Sequence, residues 1–318
     1  MGRVTVGRAA GTVVGAAAVL AASLLAGPEA AAHQAPLEVL AAPDIDVAAV
    51  QGHLDRLQQI AEENGGNRAA GGAGYDAAAD HLVATLTAAG YEVHRRPCST
   101  CPDEDPNIIA DWPGGDPDQV IMLGGHLDGV TAGPAINDNG SGTATLLEIA
   151  LTLAEEDPAL AKHVRFAWWA SEERGLQGSW SYVNELDAEE LAAIEAYLNF
   201  DMVGSPNAGY FVYDDDPTLE RLFVDYFDAL GIPTEPAVEA RGRSDHAPFA
   251  QAGVAVGGLF TGADARKTAE QAKMWGGTAG EPFDPCYHRS CDTTDNIDAT
   301  ALDRNADAIA YALWTLAG

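Results

Sequence analysis

Several short stretches of this sequence end in side chains suited to metal and proton chemistry. His126 closes the apolar run 120–125, and Asp128 lies two residues further on. A carboxylate beside an imidazole fixes the tautomer of a metal ligand, although a His-x-Asp pair alone is weak evidence for one. Asp138 sits in Ile136-Asn137-Asp138-Asn139-Gly140-Ser141-Gly142, a loop opening onto a helix, where an aspartate is ordinarily a turn or N-cap residue. Trp168-Trp169-Ala170-Ser171-Glu172-Glu173 delivers two adjacent carboxylates from an apolar run. Neighbouring side chains at a strand end point different ways, so one can bind a metal while the other faces a substrate. In so acidic a chain, a solvated loop is the competing reading. Asp201 ends the apolar run Leu198-Asn199-Phe200, and His288 lies within Cys286-Tyr287-His288-Arg289-Ser290-Cys291, a loop that a disulfide would hold rigid.

Each piece is modest alone. Together, His126, His288 and three of these carboxylates satisfy two zinc ions that share one bridging carboxylate, and one glutamate remains for proton transfer. No G-x-S-x-G nucleophile elbow, Walker loop or G-x-G-x-x-G after a strand is present, which leaves serine-nucleophile, phosphate and dinucleotide chemistry without machinery. Asn139-Gly140-Ser141 matches a glycosylation sequon but lies between two candidate site elements, so that reading is set aside.

The elements that must position these residues alternate. Helical patterns cover residues 47–61 and 75–89, the second stopping at Gly90. Strand-like runs follow at 91–96, 107–111 and 120–125, then a helix at 143–156 and a strand at 164–170. Further along come a helix at 178–184, strands at 196–201 and 209–213, a helix at 219–230, a strand at 254–260 and a closing helix at 301–316. This predicts an α/β fold: a single domain with a mixed, mainly parallel sheet flanked by helices on both faces. Ligands of such sheets bind where strand carboxyl ends meet loops, which is where the candidate residues fall.

Residues 1–32 read as a signal peptide: Arg3 and Arg8, an Ala/Val/Leu run over 9–26, and Ala30-Ala31-Ala32 as a cleavage site. The run is too short and Ala-rich for a membrane span and has no stop-transfer flank. Residues 33–41 form a short leader or pro-segment, and 42–318 the catalytic domain. With 48 Asp and Glu against 17 Lys and Arg, the net charge of −31 opposes nucleic acid and anionic membranes and favours cations. The close pairs Cys98/Cys101 and Cys286/Cys291 are expected to form two disulfides in an exported protein; a four-thiolate zinc site is the weaker alternative.

With these residues in hand, the chain resembles the secreted leucyl aminopeptidases of the Streptomyces type, two-zinc exopeptidases of peptidase clan MH, family twenty-eight. The likeness runs from about Ala42 to the C-terminus through Gly125-His126-Leu127-Asp128, Ile136-Asn137-Asp138, Ala170-Ser171-Glu172-Glu173, Asn199-Phe200-Asp201-Met202, Gly242-Arg243-Ser244-Asp245-His246 and Cys286-Tyr287-His288. The resemblance implies the zinc-dependent exopeptidase fold, with His126 and Asp201 on one zinc, Glu173 and His288 on the other, and Asp138 bridging. It implies Glu172 as general base, Tyr287 as oxyanion donor and Asp128 as the partner of His126. Met202, Gly242 and Phe260 would line a pocket for a bulky apolar N-terminal side chain, with Arg243 nearby. A cis bond between Asp138 and Asn139 is implied too.

The same resemblance implies a calcium ion on Asp44, the Ile45 carbonyl, Asp303 and Asp307. Asp303 and Asp307 are spaced i, i+4 on one helix face, where like charges repel and a hard cation would reverse the sign; both also suit a helix N-terminus. Peptide or protein N-termini are the expected substrates, and a monomer the expected state. Arg174 stands where the family usually has an apolar residue, and Cys98/Cys101 is not a feature of it. Two rivals differ in metal count: a one-zinc acyltransferase of glutaminyl-cyclase type, and a binding protein without metal.

Overall fold

The computed structural model describes residues 42–101 and 104–318; the expected signal and leader lie outside them. Asp46 caps α1 (Val47–Glu63) by accepting the Ala48 N–H. Val50, Leu54, Leu57 and Ile60 form its buried stripe, at the spacing a 3.6-residue period requires. α2 (Ala73–Ala88) stops before Gly90, which takes a φ of 98°.

Eight strands form one sheet: β1 (Glu92–Pro97), β2 (Pro106–Asp111), β3 (Asp116–His126), β4 (Lys162–Trp169), β5 (Ile194–Phe200), β6 (Phe211–Val212), β7 (Glu235–Pro236) and β8 (Ala255–Phe260). Their spatial order is β1-β2-β4-β3-β5-β8-β6-β7. The central β4, β3, β5 and β8 are parallel, while β1–β2, β2–β4 and β6–β8 pair antiparallel. This is the mixed, mainly parallel sheet read from the sequence.

Burial on both faces explains why its strands read as continuous apolar runs. Leu123, Phe166, Trp168 and Leu198 face one core, closed by α1, α2, α3 (Gly142–Glu156), α6 (Pro217–Ala229) and α9 (Ala299–Ala317). Their neighbours Met122, Ala167, Trp169 and Tyr197 face the other, closed by α4 (Gln177–Glu185), α5 (Ala188–Ala193) and α7 (His246–Ala252). The chain leaves β3 through α3 to reach β4 on one side, then returns through α4 and α5 to β5 on the other. That reversal puts a topological switch point at the carboxyl end of β3.

The sequence reading missed α5, α7, α8 (Ala269–Trp275) and β7. Each is too short to display a helical or strand period. The strand expected at 209–213 pairs only at Phe211 and Val212. Among the described residues, no helix is long and apolar enough to cross a membrane.

Candidate active site

Three adjacent parallel strands aim their carboxyl ends at one point. β3 ends on His126, β4 leads through Ala170 and Ser171 to Glu172 and Glu173, and β5 is followed by Asp201. Asp138 comes from the loop before α3, and His288 from the loop that the Cys286–Cys291 disulfide closes. The second expected disulfide, Cys98–Cys101, is also formed. Ala135, Ser171, Met202 and His288 all hold positive φ, between 55° and 58°. Non-glycine residues avoid this region, so its concentration here marks backbone bent to aim side chains.

Two groups of ligand atoms result: His126, Glu172 and Asp201 in one, and Asp138, Glu173 and His288 in the other, each within 4.8 Å of its fellows. Asp138 joins them. Its Oδ1 lies 3.2 Å from His126 Nε2, and its Oδ2 3.1 Å from His288 Nε2. Glu173 Oε2 is 3.0 Å from His288 Nε2, and Asp201 Oδ1 is 3.4 Å from His126 Nε2. His126 Nε2, Asp201 Oδ1 and Glu173 Oε1 are buried without a hydrogen-bond partner. Imidazole nitrogens and carboxylate oxygens converging in this way are the donor set that zinc takes.

Among protein groups alone, the cluster is electrostatically crowded. Burial pushes the Glu173 carboxyl up to about 7, and the neighbouring Asp138 adds to it. Burial likewise raises Glu172 well above the carboxylate range, reinforced by Asp201, Asp245 and Asp138 against the opposing pull of His126. Burial would raise Asp138 too, but the imidazoles of His126 and His288 outweigh it and hold that carboxyl low. Contacts with Asp138 and Glu173 push His288 up to about 10. A dication would invert this local balance and favour every ionised carboxylate.

The supports were mostly invisible in the sequence. Asp292 accepts the N–H groups of Asn137 and Asp138 at 2.8 and 3.1 Å. The buried Arg68 donates Nη2 to Ala135 O at 3.1 Å. Asn139 donates Nδ2 to Phe200 O and accepts the Met202 N–H, tying the Asp138 loop to the chain on either side of Asp201. Asn139 is fully buried, so the sequon there is not a glycosylation site. Gly142 is required at this crossing, since a Cβ would lie 2.2 Å from Phe200 O. The peptide bond between Asp138 and Asn139 is cis. Asp245, from the quoted Gly242–His246 motif, is buried, accepts the Ser179 hydroxyl at 2.6 Å, and stands close enough to raise Glu172.

Asp128 lies against His126 in two ways. Its backbone oxygen, not its carboxylate, is the 3.0 Å partner of His126 Nδ1. The carboxylate lies 3.7 Å from that nitrogen and also accepts the N–H of Glu172.

Beside the metal-ligand groups, a cavity is lined by Met202, Tyr213, Ala240, Phe260, Ala263 and Tyr287, with Glu239 and Arg243 also on its wall. Gly242 is not part of this lining; its N–H donates to His246 Nε2 at 3.2 Å. The exposed Arg174 turns to Ala70 O, 3.2 Å away, and does not line the cavity either. Between the start of α1 and α9, Asp307 accepts the Ile45 N–H at 2.9 Å. Burial, with Asp44 and Asp303 nearby, pushes its carboxyl up to about 6.

The family description Peptidase family M28 matches residues 107–313. Leupeptin-inactivating enzyme 1 of Streptomyces exfoliatus is 56% identical over 298 residues, 93% of this chain and 68% of that protein. An aminopeptidase of Pseudomonas aeruginosa is 49% identical over 217 residues, and this chain spans only 40% of its length while 64% of this chain is matched. Among solved structures, LapA of Legionella pneumophila superposes with a TM-score of 0.71 at 20% identity, covering 86% of this chain and 74% of that one. BSAP, a zinc aminopeptidase from Bacillus subtilis, gives 0.56 at 27% identity, over 68% and 51% of the two chains. The matched family stretch holds every residue of both ligand groups, and the chain belongs to peptidase family M28.

Proposed function

We propose that this peptidase is a secreted two-zinc aminopeptidase that removes N-terminal residues with large apolar side chains, leucine among them, from peptides and proteins. The observation that carries the reading is Asp138, one oxygen toward each imidazole, between two otherwise separate donor groups. In this reading His126 and Asp201 would hold one zinc ion and Glu173 and His288 the other, with Asp138 contributing an oxygen to each. Bound zinc would supply Lewis acidity for the scissile carbonyl and a lowered pKa for the attacking water.

The remaining steps belong to the chain. Glu172 accepts a proton as water adds to the carbonyl carbon, and returns it to the leaving nitrogen as the C–N bond breaks. The Tyr287 phenol is raised above its ordinary range by burial and by the carboxylates of Asp138 and Asp201, so it stays protonated and can donate to the oxyanion. Its ring stacks on His288 with centroids 3.9 Å apart, which fixes its direction. Asp128 holds the Glu172 turn through the backbone, and Met202 and Phe260 face the substrate side chain. Gly242 contributes the backbone turn at φ 67° that carries Arg243 to the cavity wall.

Export is supported by the character of residues 1–32 and by two disulfides. Calcium on Asp44, Ile45, Asp303 and Asp307 is proposed from the mutual crowding of three carboxylates; the same three raise Tyr226, whose phenol burial already pushes up, to about 12. The chain is proposed to act as a monomer. The test is metal analysis with turnover of leucine amide: two zinc ions per chain, and activity lost on chelation and restored by zinc, are expected. One zinc with cyclisation of N-terminal glutamine would favour the acyltransferase, and none a binding protein.

A further inference from the structure

His288 is the one exposed residue in the two ligand groups. It stands on residues 286–291, a loop that is exposed or half-buried throughout. The disulfide joins the two ends of this loop to each other, not to the rest of the protein. Among the described residues, the backbone-to-backbone bonds of 286–291 are local too: Arg289 N–H donates to Cys286 O, Asp292 N–H to Arg289 O and Thr293 N–H to Cys291 O. Groups outside the loop must therefore hold it where His288 Nε2 meets Asp138 Oδ2 at 3.1 Å and Glu173 Oε2 at 3.0 Å.

Two aspartates flank the loop, and both are buried, at 1% exposure for Asp284 and 2% for Asp292. Asp284 Oδ1 accepts the Cys286 N–H at 2.7 Å, and its Oδ2 accepts Asn137 Nδ2 at 2.7 Å. Asp292 Oδ1 accepts the Asn137 N–H and its Oδ2 the Asp138 N–H, while its backbone oxygen accepts the Ile136 N–H at 3.2 Å. Both ends of the loop are thus fastened to Ile136-Asn137-Asp138, the segment that ends in the carboxylate shared by the two ligand groups. Asn296, also buried, links the fasteners by donating Nδ2 to Asp284 Oδ1 at 2.9 Å and to Asp292 Oδ1 at 3.1 Å. Each of these side-chain bonds runs from a donor to a carboxylate oxygen. An amide of the same size has one acceptor oxygen, so it would turn its NH2 against one of the N–H groups.

We infer that Asp284 and Asp292 are positioning residues for the metal centre: they clamp the His288 loop to the Asp138 loop and so preassemble the site of Asp138, Glu173 and His288. The inference rests on the two-zinc reading. The other ligand group depends on the clamp less, because His126 and Asp201 are delivered by the ends of β3 and β5. Groups that orient a metal ligand from behind contribute about ten- to a hundredfold in metal affinity.

The experiment titrates zinc calorimetrically into metal-free wild type, Asp292→Asn and Asp284→Asn, with His288→Ala marking which binding step belongs to the His288 site. The absorption spectrum of each cobalt-substituted protein and the melting temperature of each metal-free protein are measured alongside. In both aspartate variants, affinity at the His288 step is expected to fall about ten- to a hundredfold, and much less at the other step. The cobalt band of the His288 site should shift or weaken in parallel. Variants that melt lower but bind zinc and cobalt as the wild type does overturn the inference, since the carboxylates then only stabilise the fold. Equal losses at both steps also overturn it, because the effect would then lie on Asp138 and not on the loop. If Asp292→Asn does not fold, Asp284→Asn decides alone, because it bonds the Asp138 loop only through the Asn137 side chain. A wild type that takes up fewer than two zinc ions defeats the two-zinc reading, and the inference falls with it; unchanged variants of a two-zinc wild type defeat the inference alone.

Discussion

The carboxylate of Asp128 accepts a hydrogen bond from the backbone N–H of Glu172 at 2.9 Å. A residue two places beyond β3 therefore fixes the turn after β4, and with it the direction of the Glu172 side chain. The same carboxylate reaches the Glu173 N–H at 3.4 Å, a weaker contact that steadies the next position. Glu172 and Glu173 are adjacent in sequence yet belong to different ligand groups. A rigid turn is what keeps their roles apart.

Glu172→Gln should retain both zinc ions and the fold while kcat falls by about 10²–10⁴-fold, the usual contribution of a positioned general base. The amide keeps the shape and the Asp128 contact, which is to the backbone, but cannot accept the proton. Metal content by atomic emission and kcat on leucine p-nitroanilide are the two readouts. Loss of a zinc ion from the variant would mean that Glu172 is a ligand and that the two glutamates must exchange roles.

Asp138→Asn should weaken both zinc sites together, because one oxygen faces His126 and the other His288. His126→Ala and His288→Ala should each weaken mainly one. Zinc titration followed by calorimetry separates the cases. An Asp138→Asn protein that holds one zinc at wild-type affinity contradicts the bridge.

The candidate ligands stood out in the sequence because most follow an apolar run or sit in a cysteine loop, and a parallel sheet brings such ends together. His126, Glu173 and Asp201 needed only the ends of β3, β4 and β5. The supports were not legible, because their contacts span distant parts of the chain. Arg68 meets Ala135 across 67 residues, and Asp292 meets Asp138 across 154. Asp292 directly follows the cysteine loop but looks like any other acid in a chain with 48 of them. Asp128 stands beside His126 with its backbone oxygen at 3.0 Å and its carboxylate at 3.7 Å, and a His-x-Asp spacing cannot tell which of the two is nearer.

Calcium should raise the melting temperature without being needed for cleavage. Asp44 lies just before α1, and Asp303 and Asp307 lie in α9, so one ion would fasten two elements far apart in the chain. An ion that binds only the folded protein stabilises it by about 2.7 kcal/mol at a hundredfold excess over its dissociation constant. The double variant Asp303→Asn/Asp307→Asn should lose that gain while zinc content stays the same. A melting response to calcium that survives in the double variant would place the cation elsewhere.

The last prediction concerns why trimming is confined to the N-terminus. Glu172 and Asp201 stand together beside the cavity, both half-buried. A free α-ammonium entering between them would find charged acceptors, whose hydrogen bonds are the stronger kind. An N-acetyl group brings no positive charge and adds bulk at the same place. It would leave a half-buried carboxylate unpaired, a penalty of about 1–3 kcal/mol, on top of the lost bond. Together these suppress kcat/KM by orders of magnitude, because a site built around a polar partner rejects the analogue that lacks it. Leucyl p-nitroanilide should therefore be cleaved readily and its N-acetyl form at least about a thousandfold more slowly, with the deficit divided between kcat and KM. The two substrates share the same scissile bond and the same side chain, so leaving-group chemistry and pocket occupancy cancel in the comparison. Equal kcat/KM values would show that the amine is not read, and the exopeptidase assignment would fall with that result.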